Sequence, residues 1–179
     1  MNCIIYLVRS SEKDVEEFNK SLRLLEENLL KYTTADVLVF VEESFEKYKP
    51  KVETNLELLY QTIEFNLPDY PPEILDNIPE FYPHPTHGNG PIEWGHPGFT
   101  MGYRHMCRLF SGEIYKFPVV QEYEYYIRLD TDSFIHTSLG YDIFKWAKDN
   151  ECWYGYVAPA VQQDNEKVVE GLSEFVNSI

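Results

Sequence analysis

The sequence predicts an α/β fold in which a mainly parallel sheet is flanked by helices. Two short runs, residues 3–8 (CIIYLV) and 36–41 (DVLVFV), are apolar and rich in β-branched residues, as buried strands are. Between them, apolar residues recur at the spacing of one face of a helix. A strand, a helix and a second strand in this arrangement form a βαβ unit, whose strands are parallel and joined by a right-handed crossover.

The helix of this unit is expected to span residues 12–31. Ser10 or Ser11 can cap its first turn, where acidic residues interact favourably with the helix macrodipole. Its apolar face consists of Val15, Phe18, Leu22, Leu25 and Leu29. Beyond the second strand, which Glu42 and Glu43 end, we expect a shorter helix at 52–59 and a strand at 60–65.

Residues 67–99 interrupt this regular pattern. They hold most of the chain's 11 prolines together with several glycines, so they can form neither a long helix nor a central strand. The same stretch contains large apolar side chains, among them Tyr70, Phe81 and Trp94, which a flexible linker would lack. We therefore expect an ordered loop, with a short helix at 72–77, packed within a single domain that comprises residues 1–179.

Helical spacing returns over residues 100–117, and Pro118 is expected to end that helix. Residues 125–129 (YYIRL) have the composition of a strand and run directly into Asp130, Thr131 and Asp132, here called the acidic triplet. Three further elements are predicted after the triplet: a helix at 142–148, a strand at 153–158 and a last helix at 168–176.

The acidic triplet is the main candidate functional feature. In an open α/β sheet, ligands bind beyond the carboxyl ends of the strands, which is where this triplet is expected to lie. The carboxylates of Asp130 and Asp132 can hold a hard divalent cation there, with diphosphate oxygens filling its remaining coordination positions. The alternative is a solvated turn without a ligand, since an Asp-x-Asp pattern often arises by chance.

Several arginines can act together with the triplet. Arg128 lies two residues before Asp130 and therefore points to the same side of the strand, where it can neutralise the acidic pair. Arg104 and Arg108 lie four residues apart on the predicted helix 100–117. Their guanidinium groups can bind a diphosphate bidentately, or they can fasten the helix to acidic loops.

Histidines offer weaker candidates for a metal site. His84, His87 and His96 lie close together in the proline-rich loop, but no Cys or Glu stands at a zinc-binding spacing, so hydrogen bonding to the loop backbone is the favoured interpretation. His136 follows the triplet and can support the metal ligands, or it can be an exposed polar residue on the outgoing chain.

Composition and charge exclude several classes of function. A net charge of -15 and a pI near 4.6 argue against binding to nucleic acid or anionic lipid. Three cysteines without a CxxC spacing argue against a zinc site and a framework of several disulfides and leave a single bridge as an alternative. P-loop, GxGxxG and GxSxG motifs are absent. No apolar run is long enough to span a membrane, so we expect a soluble chain, cytoplasmic by default.

Residues 100–136 (TMGYRHMCRLFSGEIYKFPVVQEYEYYIRLDTDSFIH) resemble the central signature of the fungal Kre2/Mnt1 α-1,2-mannosyltransferase family (glycosyltransferase family 15). That signature is a YRHMCRF-SG helix followed by a Tyr- and Trp-rich strand that ends in Arg, an apolar residue and an acid-x-Asp pattern. The matching residues are Tyr103, Arg104, His105, Met106, Cys107, Arg108, Phe110, Ser111, Gly112, Tyr123, Tyr126, Arg128, Asp130 and Asp132. The segments IIYLVRS, LVFVEESF and GYDIFKWAKDN are also similar to the family's sequence.

The resemblance implies a GT-A-like (Rossmann-like) nucleotide-diphospho-sugar transferase fold. It implies a retaining transfer of mannose from GDP-mannose to a glycan or glycoprotein acceptor, with Mn²⁺ or another divalent cation held by Asp130 and Asp132. It also implies a set of residues that bind the nucleotide sugar: Val8, Arg9, Tyr103, Arg104, Arg128 and Asp130. It assigns no catalytic residue in this chain.

The chain also departs from the family. Family members are type II Golgi proteins that continue well past the point where this sequence ends, and the additional part supplies the acceptor cleft, a candidate nucleophile and a histidine of the metal site. A non-catalytic module that binds a nucleotide sugar is therefore the main alternative hypothesis. A metal-dependent phosphohydrolase that uses Asp130 and Asp132 is a third hypothesis, but it lacks the extra His and Asp ligands of a two-metal site.

Overall fold

A four-stranded parallel sheet organises the structure, a computed structural model that describes residues 1–66, 71–75, 81–82 and 99–155. The elements in chain order are β1 (Asn2–Val8), α1 (Glu12–Leu25), β2 (Asp36–Val41), β3 (Leu58–Thr62), α2 (Pro72–Leu75), β4 (Phe81–Tyr82), β5 (Phe99–Thr100), α3 (Met101–Ser111), α4 (Pro118–Gln121), β6 (Tyr125–Leu129) and α5 (Ile143–Asp149). The sheet order is β3-β2-β1-β6, and β4 and β5 form a separate antiparallel pair. The predicted α/β class with a mainly parallel sheet is confirmed.

The chain divides into two compact units. The first consists of Met1–Asn66 and Ser111–Tyr154 and contains the parallel sheet, and the second consists of Leu67–Phe110 and Gly155–Ile179. The parallel sheet and the helices α1, α4 and α5 all lie in the first unit. That residues 1–179 form one domain stays a prediction.

The order of the strands creates a switch point beside β1. The chain proceeds from β1 to β2 and then to β3 on one side of β1, whereas β6 pairs with β1 on the other side. Connections therefore leave the carboxyl ends of β1 and β6 in opposite directions, which opens a crevice between them. In open α/β sheets, this crevice is where ligands bind.

One face of the sheet is covered by α1. Alternate residues of β1 and β2 point to this face, because successive side chains of a strand point to opposite sides. Tyr6 of β1 meets Phe18 of α1 edge to face, with ring centroids 5.0 Å apart, and both side chains are fully buried. Leu22 and Leu25 extend the contact along the helix. Phe144 of α5 belongs to the same cluster, so α5 also packs against this face.

The opposite face of the two central strands is equally apolar. Cys3 and Ile5 of β1 and Leu38 and Phe40 of β2 are at most 1% exposed. The Phe40 ring packs edge to face against Phe117, with centroids 5.0 Å apart. Strands buried on both faces carry continuous apolar runs rather than an alternating pattern, which explains why residues 3–8 and 36–41 were recognisable as strands.

The predictions for the first part of the chain are confirmed with one exception. α1 begins where expected and continues as a turn of π-helix through Glu26–Leu30. The helix predicted at 52–59 is wrong: 3₁₀ turns form earlier, at Glu43–Lys47 and Lys49–Lys51, and β3 begins at Leu58. Val52 and Leu56 have helical spacing, but they contact the core from a segment that is not helical. The strand predicted at 60–65 is observed two residues earlier than expected.

The helix predicted at 100–117 is also shorter than expected. α3 ends at Ser111, and a 3₁₀ turn at Glu113–Lys116 follows. Pro118 does not end a helix but begins α4, because proline has no N–H to lose at the first helical position. The predicted short helix at 72–77 is observed over Pro72–Leu75 as α2, and residues 76 and 77 lie outside the described residues. The helix predicted at 142–148 is observed as α5.

Two predictions concern the end of the chain. Residues 153–155 of the strand predicted at 153–158 are not a strand, and Trp153 is 95% exposed. Residues 156–158 and the last helix predicted at 168–176 lie outside the described residues. In the described ranges, no helix is both long and apolar enough to cross a membrane.

The N-terminus of α5 is fastened by Asp142. Its carboxylate accepts hydrogen bonds from the backbone N–H groups of Phe144 and Lys145, at 3.0 and 3.1 Å, and from the hydroxyl of Thr33 at 2.6 Å. The Thr33 hydroxyl, together with these two N–H groups, holds the pKa of Asp142 below its usual value of 3.8. The carboxylate therefore links α5 to the chain that follows α1.

We predict that Asp142→Ala lowers the free energy of unfolding by about 1–2 kcal/mol at neutral pH, because it removes the cap of α5. A carboxyl group with a lowered pKa in the folded state contributes stability above its unfolded pKa, and this contribution is lost as the pH falls through the folded-state pKa. Urea unfolding of both proteins should therefore show the difference shrinking below the usual pKa of 3.8.

Asp149→Ala is the matched control for this experiment, since Asp149 lies in the same helix and only pairs with Lys145 at the surface. We expect it to change the free energy of unfolding by less than about 0.5 kcal/mol. An Asp142→Ala effect that is as large in acid as at neutral pH would contradict the assigned role of the carboxylate.

Candidate functional site

The acidic triplet lies beside the carboxyl end of β1, at the switch point of the sheet. Tyr6 of β1 is paired with Leu129, the last residue of β6. β1 continues for two more residues to Val8, while the triplet follows Leu129 directly. The predicted position of the triplet, just past the end of a strand of the sheet, is confirmed by this register.

A tight turn presents the two carboxylates to solvent. The N–H of Ser133 donates to the carbonyl oxygen of Asp130 at 2.9 Å, and the N–H of Asp130 donates to the Ser133 hydroxyl at 3.1 Å. Thr131 is buried at 8% exposure, whereas Asp130 and Asp132 are exposed. The buried threonine thus holds the centre of the turn against the protein while the acidic side chains on either side remain accessible.

A buried hydrogen-bond chain holds this turn against α1. The Ser21 hydroxyl of α1 donates to the carbonyl oxygen of Ser133 at 2.8 Å, and it lies 2.8 Å from the hydroxyl oxygen of Tyr6. Because the single proton of Ser21 is used on Ser133, the Tyr6 hydroxyl is the donor to Ser21. Burial raises the pKa of Tyr6 to about 12, so this donor stays protonated at physiological pH.

Further contacts along α1 hold the chain that leaves the turn. The side-chain amide of Asn28 donates to the carbonyl oxygen of Ile135 at 2.8 Å, and the Leu139 N–H donates to the carbonyl oxygen of Asn28 at 3.2 Å. The Lys20 ammonium lies 3.9 Å from the centroid of the Phe134 ring, close enough for a cation–π contact. α1 and the π-helical turn that follows it therefore hold the chain after the acidic triplet at Ser133, Phe134, Ile135 and Leu139.

Arg128 forms an ion pair with the first carboxylate of the triplet. Its Nη2 atom donates to Oδ1 of Asp130 at 2.8 Å, and the two side chains are 35% and 56% exposed. The prediction that Arg128 and Asp130 lie on the same side of the chain is confirmed by this contact. Within the described residues, Asp132 makes no ion pair or side-chain hydrogen bond, so the two carboxylates have different surroundings.

The end of β1 supplies two of the predicted site residues. The Val8 side chain is 1% exposed in the core, so only its backbone is available to a ligand. Arg9 is exposed, and its Nε donates to the buried carboxylate of Asp14 at 3.0 Å. The Ser11 hydroxyl accepts from the Asp14 N–H and caps α1. Arg9 is thereby held at the start of α1, on the same edge of the sheet as the triplet.

The predicted site residues fall into two groups. Val8, Arg9, Arg128, Asp130 and Asp132 share the carboxyl edge of the parallel sheet in the first unit. Tyr103 and Arg104 lie on α3 in the second unit, where the Tyr103 side chain is 44% exposed. The participation of Tyr103 and Arg104 in the same site stays a prediction, as does that of Arg108.

The two carboxylates of the acidic triplet are suitable ligands for a hard divalent cation that is bound together with an anionic ligand. Across the described ranges, no group of three or more His, Cys, Asp or Glu side chains lies close enough to hold a metal ion. Cations that prefer octahedral oxygen ligands are, however, commonly held by one or two carboxylates plus phosphate oxygens and water. Asp130 and Asp132 can supply those carboxylates, whereas a two-metal hydrolase site would need further ligands.

The histidine predictions have different outcomes. The His136 ring packs edge to face against Phe134, with centroids 6.0 Å apart, on the segment that α1 holds. Its role as a support for metal ligands stays a prediction. His84, His87 and His96 lie outside the described residues.

The residues that position the turn were missed by sequence reasoning. Ser21 occupies a buried place on α1 between Phe18 and Leu22, where an apolar residue is the usual choice. A small polar residue in an apolar helical face is the one signal that could have identified it, because a buried hydroxyl needs a hydrogen-bond partner. The partner itself, a carbonyl group 112 residues further along the chain, is not visible in the sequence.

An open cavity of about 480 Å³ lies elsewhere, beside α1, and includes Asn19, Arg23 and Glu53 in its lining. None of the predicted site residues lines it. The acidic triplet instead lies on an exposed edge of the sheet, so the cavity and the candidate site are different places.

Comparison with known proteins shows what this chain resembles. The sequence profile of the family described as glycolipid 2-alpha-mannosyltransferase matches residues 1–177. The alpha-1,2 mannosyltransferase KTR1 of Saccharomyces cerevisiae is 32% identical over 89 residues, which are 45% of this chain and 23% of KTR1. The aligned part of the chain therefore spans less than a quarter of the length of this relative.

Two solved structures are similar to the whole chain. The mannosyltransferase Ktr4p of S. cerevisiae superposes with a TM-score of 0.71 at 23% identity, over 99% of this chain and 44% of Ktr4p. Core-mannan synthase A from Aspergillus fumigatus, solved in an Mn/GDP form, superposes with a TM-score of 0.69 at 21% identity, over 99% of this chain and 46% of the synthase. At these identities, the likeness establishes the fold.

We predict that Ser21→Ala lowers the free energy of unfolding by about 1–3 kcal/mol, because it leaves the buried Tyr6 hydroxyl and the Ser133 carbonyl without their shared partner. Tyr6→Phe should cost less, since Ser21 keeps its bond to Ser133. The effects of the two substitutions should not add in the double variant, which urea unfolding of all four proteins measures. Additive effects would show that the two hydroxyls do not act as one chain.

Proposed function

The chain belongs to the glycolipid 2-alpha-mannosyltransferase family, and we propose that it carries the nucleotide-sugar-binding part of a metal-dependent, retaining mannosyltransferase. The proposed donor is GDP-mannose, the proposed acceptor is a glycan or glycoprotein, and the proposed cation is Mn²⁺ or another divalent ion. As a mannosyltransferase, the protein would transfer a hexose from the donor to a hydroxyl group of the acceptor.

The observation that carries this proposal is the position of two exposed carboxylates at the switch point of a parallel sheet. Asp130 and Asp132 follow β6 directly, and the turn between them is held by buried contacts to α1. A rigid turn keeps both carboxylates in place before a ligand arrives, which reduces the entropy lost on binding. Two carboxylates alone bind a cation weakly, so the arrangement suits a cation that arrives with a diphosphate.

The proposed roles of the remaining residues follow from charge and position. Arg128 and Arg9 place guanidinium groups at the same edge of the sheet, where they can pair with phosphate oxygens. The Val8 backbone would contact the nucleotide at the end of β1. We propose that Tyr103 and Arg104 line the donor site from α3. The proposal assigns no nucleophile.

The net charge of the chain makes such a local cluster necessary. At -15, the chain as a whole repels a nucleoside diphosphate sugar. When bound, a divalent cation supplies Lewis-acid stabilisation of the negative charge that develops on the departing diphosphate. The Mn/GDP form of core-mannan synthase A supports the choice of Mn²⁺ and of a guanosine nucleotide.

We predict that Asp132→Ala weakens Mn²⁺-dependent GDP binding by at least about tenfold, because it removes one of the two carboxylates offered to the cation. Isothermal titration calorimetry with GDP, with and without Mn²⁺, measures the effect. Asp149→Ala is the control, because it removes an exposed aspartate from α5 and leaves the triplet intact. Unchanged binding in Asp132→Ala, with an intact fold by circular dichroism, would contradict the site assignment.

Turnover separates the proposed enzyme from a binding module. GDP-mannose, incubated with Mn²⁺ and a mannoside acceptor, should be consumed with release of GDP and formation of a longer mannoside. UDP-glucose in the same assay tests the identity of the donor. If GDP-mannose binds in an Mn²⁺-dependent way but no mannoside is extended, the chain is a nucleotide-sugar-binding module and the proposed transferase activity is wrong for it.

A further inference from the structure

The ion pair between Arg128 and Asp130 places a positive charge on a carboxylate that the proposed cation needs. We propose that Arg128 competes with the divalent cation for Asp130, and that a nucleoside diphosphate relieves this competition by offering the guanidinium group another anion. Arg128 then couples the binding of the cation to the binding of the nucleotide. This inference rests on the proposed function and deepens it.

The backbone holds the two partners of this pair in position. Arg128 belongs to β6, where it pairs with Ile5 of β1, so its direction is set by the sheet. Asp130 lies in the turn that Ser133 closes with two hydrogen bonds. The 2.8 Å contact between Nη2 and Oδ1 therefore joins two side chains whose main chains are both held. The pair re-forms readily whenever no cation occupies Asp130.

The two carboxylates of the triplet are electrostatically unequal. Asp130 carries a guanidinium group on one oxygen, whereas Asp132 makes no ion pair within the described residues. A cation that approaches the triplet alone must displace Arg128 from Asp130, or bind with the guanidinium charge nearby. Both choices cost free energy: the first breaks an ion pair, and the second brings two positive charges within a few ångströms.

The exposure of the pair sets the size of the effect. The side chains of Arg128 and Asp130 are 35% and 56% exposed, so water screens their interaction and the pair is weak enough to be broken by a ligand. Together with the repulsion between Arg128 and the cation, such a pair lowers the affinity for the cation alone by about three- to tenfold. A penalty of this size regulates binding without preventing it.

A diphosphate changes the balance because it offers the guanidinium group a better partner. The planar fork of arginine binds two phosphate oxygens at once. Once Arg128 has turned to the phosphate, Asp130 is available to the cation, which in turn binds other oxygens of the same diphosphate. Each ligand therefore raises the affinity for the other by the same factor.

Competition with the cation is expected of Arg128 and not of Arg9. Arg9 also lies at the carboxyl edge, but its partner is Asp14, which is buried under the first turn of α1 and also bonded to Ser11. Asp14 belongs to the cap of α1 and not to the acidic triplet. An Arg9 side chain that turns toward a phosphate therefore releases no carboxylate to the cation.

The test measures Mn²⁺ binding without nucleotide, by electron paramagnetic resonance of unbound Mn²⁺, on the full chain and its variants. Arg128→Gln should tighten Mn²⁺ binding by about three- to tenfold. Arg128→Lys keeps the charge and should stay within about twofold of the unsubstituted protein. Arg23→Gln is the matched control, because it removes the same charge from an exposed ion pair with Glu27 on α1; it should leave Mn²⁺ binding unchanged.

A second variant pair locates the effect. Asp130→Ala removes the carboxylate for which Arg128 and the cation compete, so the tightening caused by Arg128→Gln should be lost in the Arg128→Gln/Asp130→Ala double variant. If the double variant is still tightened, the extra Mn²⁺ binds to the acidic surface in general, and the inference is overturned. Raising the ionic strength should shrink the difference between Arg128→Gln and the unsubstituted protein, because salt screens partly exposed charges.

The coupling is measured by repeating the Mn²⁺ titrations at saturating GDP. In the unsubstituted protein, GDP should tighten Mn²⁺ binding by a larger factor than in Arg128→Gln. If Arg128→Gln binds Mn²⁺ alone no more tightly than the unsubstituted protein, while both still bind GDP with Mn²⁺, the competition is wrong and the proposed function stands. If GDP and Mn²⁺ fail to bind together even to the unsubstituted protein, the proposed function itself is wrong.

Discussion

The hydroxyl of Ser21 is the contact on which the candidate site depends most. It lies on the buried face of α1, accepts a hydrogen bond from Tyr6 in the core of the sheet and donates one to the backbone of Ser133. A buried hydroxyl with a satisfied donor and acceptor has one favourable position, because leaving either bond unmade costs free energy. The helix that covers one face of the sheet therefore also fixes the position of the turn that carries the acidic triplet.

This arrangement explains how an exposed turn is held in position before any ligand binds. Loops at the edge of a sheet are ordinarily mobile, and carboxylates on a mobile loop would separate under their mutual repulsion. Here, Ser21 and Asn28 of the α1 segment bond to backbone atoms on both sides of Phe134. Arg128 offsets the charge of Asp130, so the turn can hold two acidic side chains in a chain that already carries a large negative charge.

Elements that are stabilised by their own residues were predicted well. β1 and β2 are buried on both faces and read as apolar runs, and α1 carries both its cap and its apolar face within one continuous segment. Predictions were wrong where one sequence pattern is compatible with two different local structures. Val52 and Leu56 fit a helical face, yet they contact the core from a segment that is not helical, in which the backbone of Lys51 and Glu53 bonds to the side chain of Asn19. Pro118 is compatible with the end of one helix or the start of the next, and the structure shows the start.

The sequence by itself determined the α/β class, the position of the acidic triplet after a strand, the alternation that places Arg128 beside Asp130, and membership in a family of mannosyltransferases. These follow from local chemistry, since strand composition, the two-residue alternation and a dense motif are all properties of neighbouring residues. Only the tertiary structure decided that β6 pairs with β1, which puts the triplet at the switch point, and that Ser21 holds the turn from 112 residues away. Such contacts join segments that are distant in the chain, and their energies depend on burial, which arises only once the sheet and α1 have packed together.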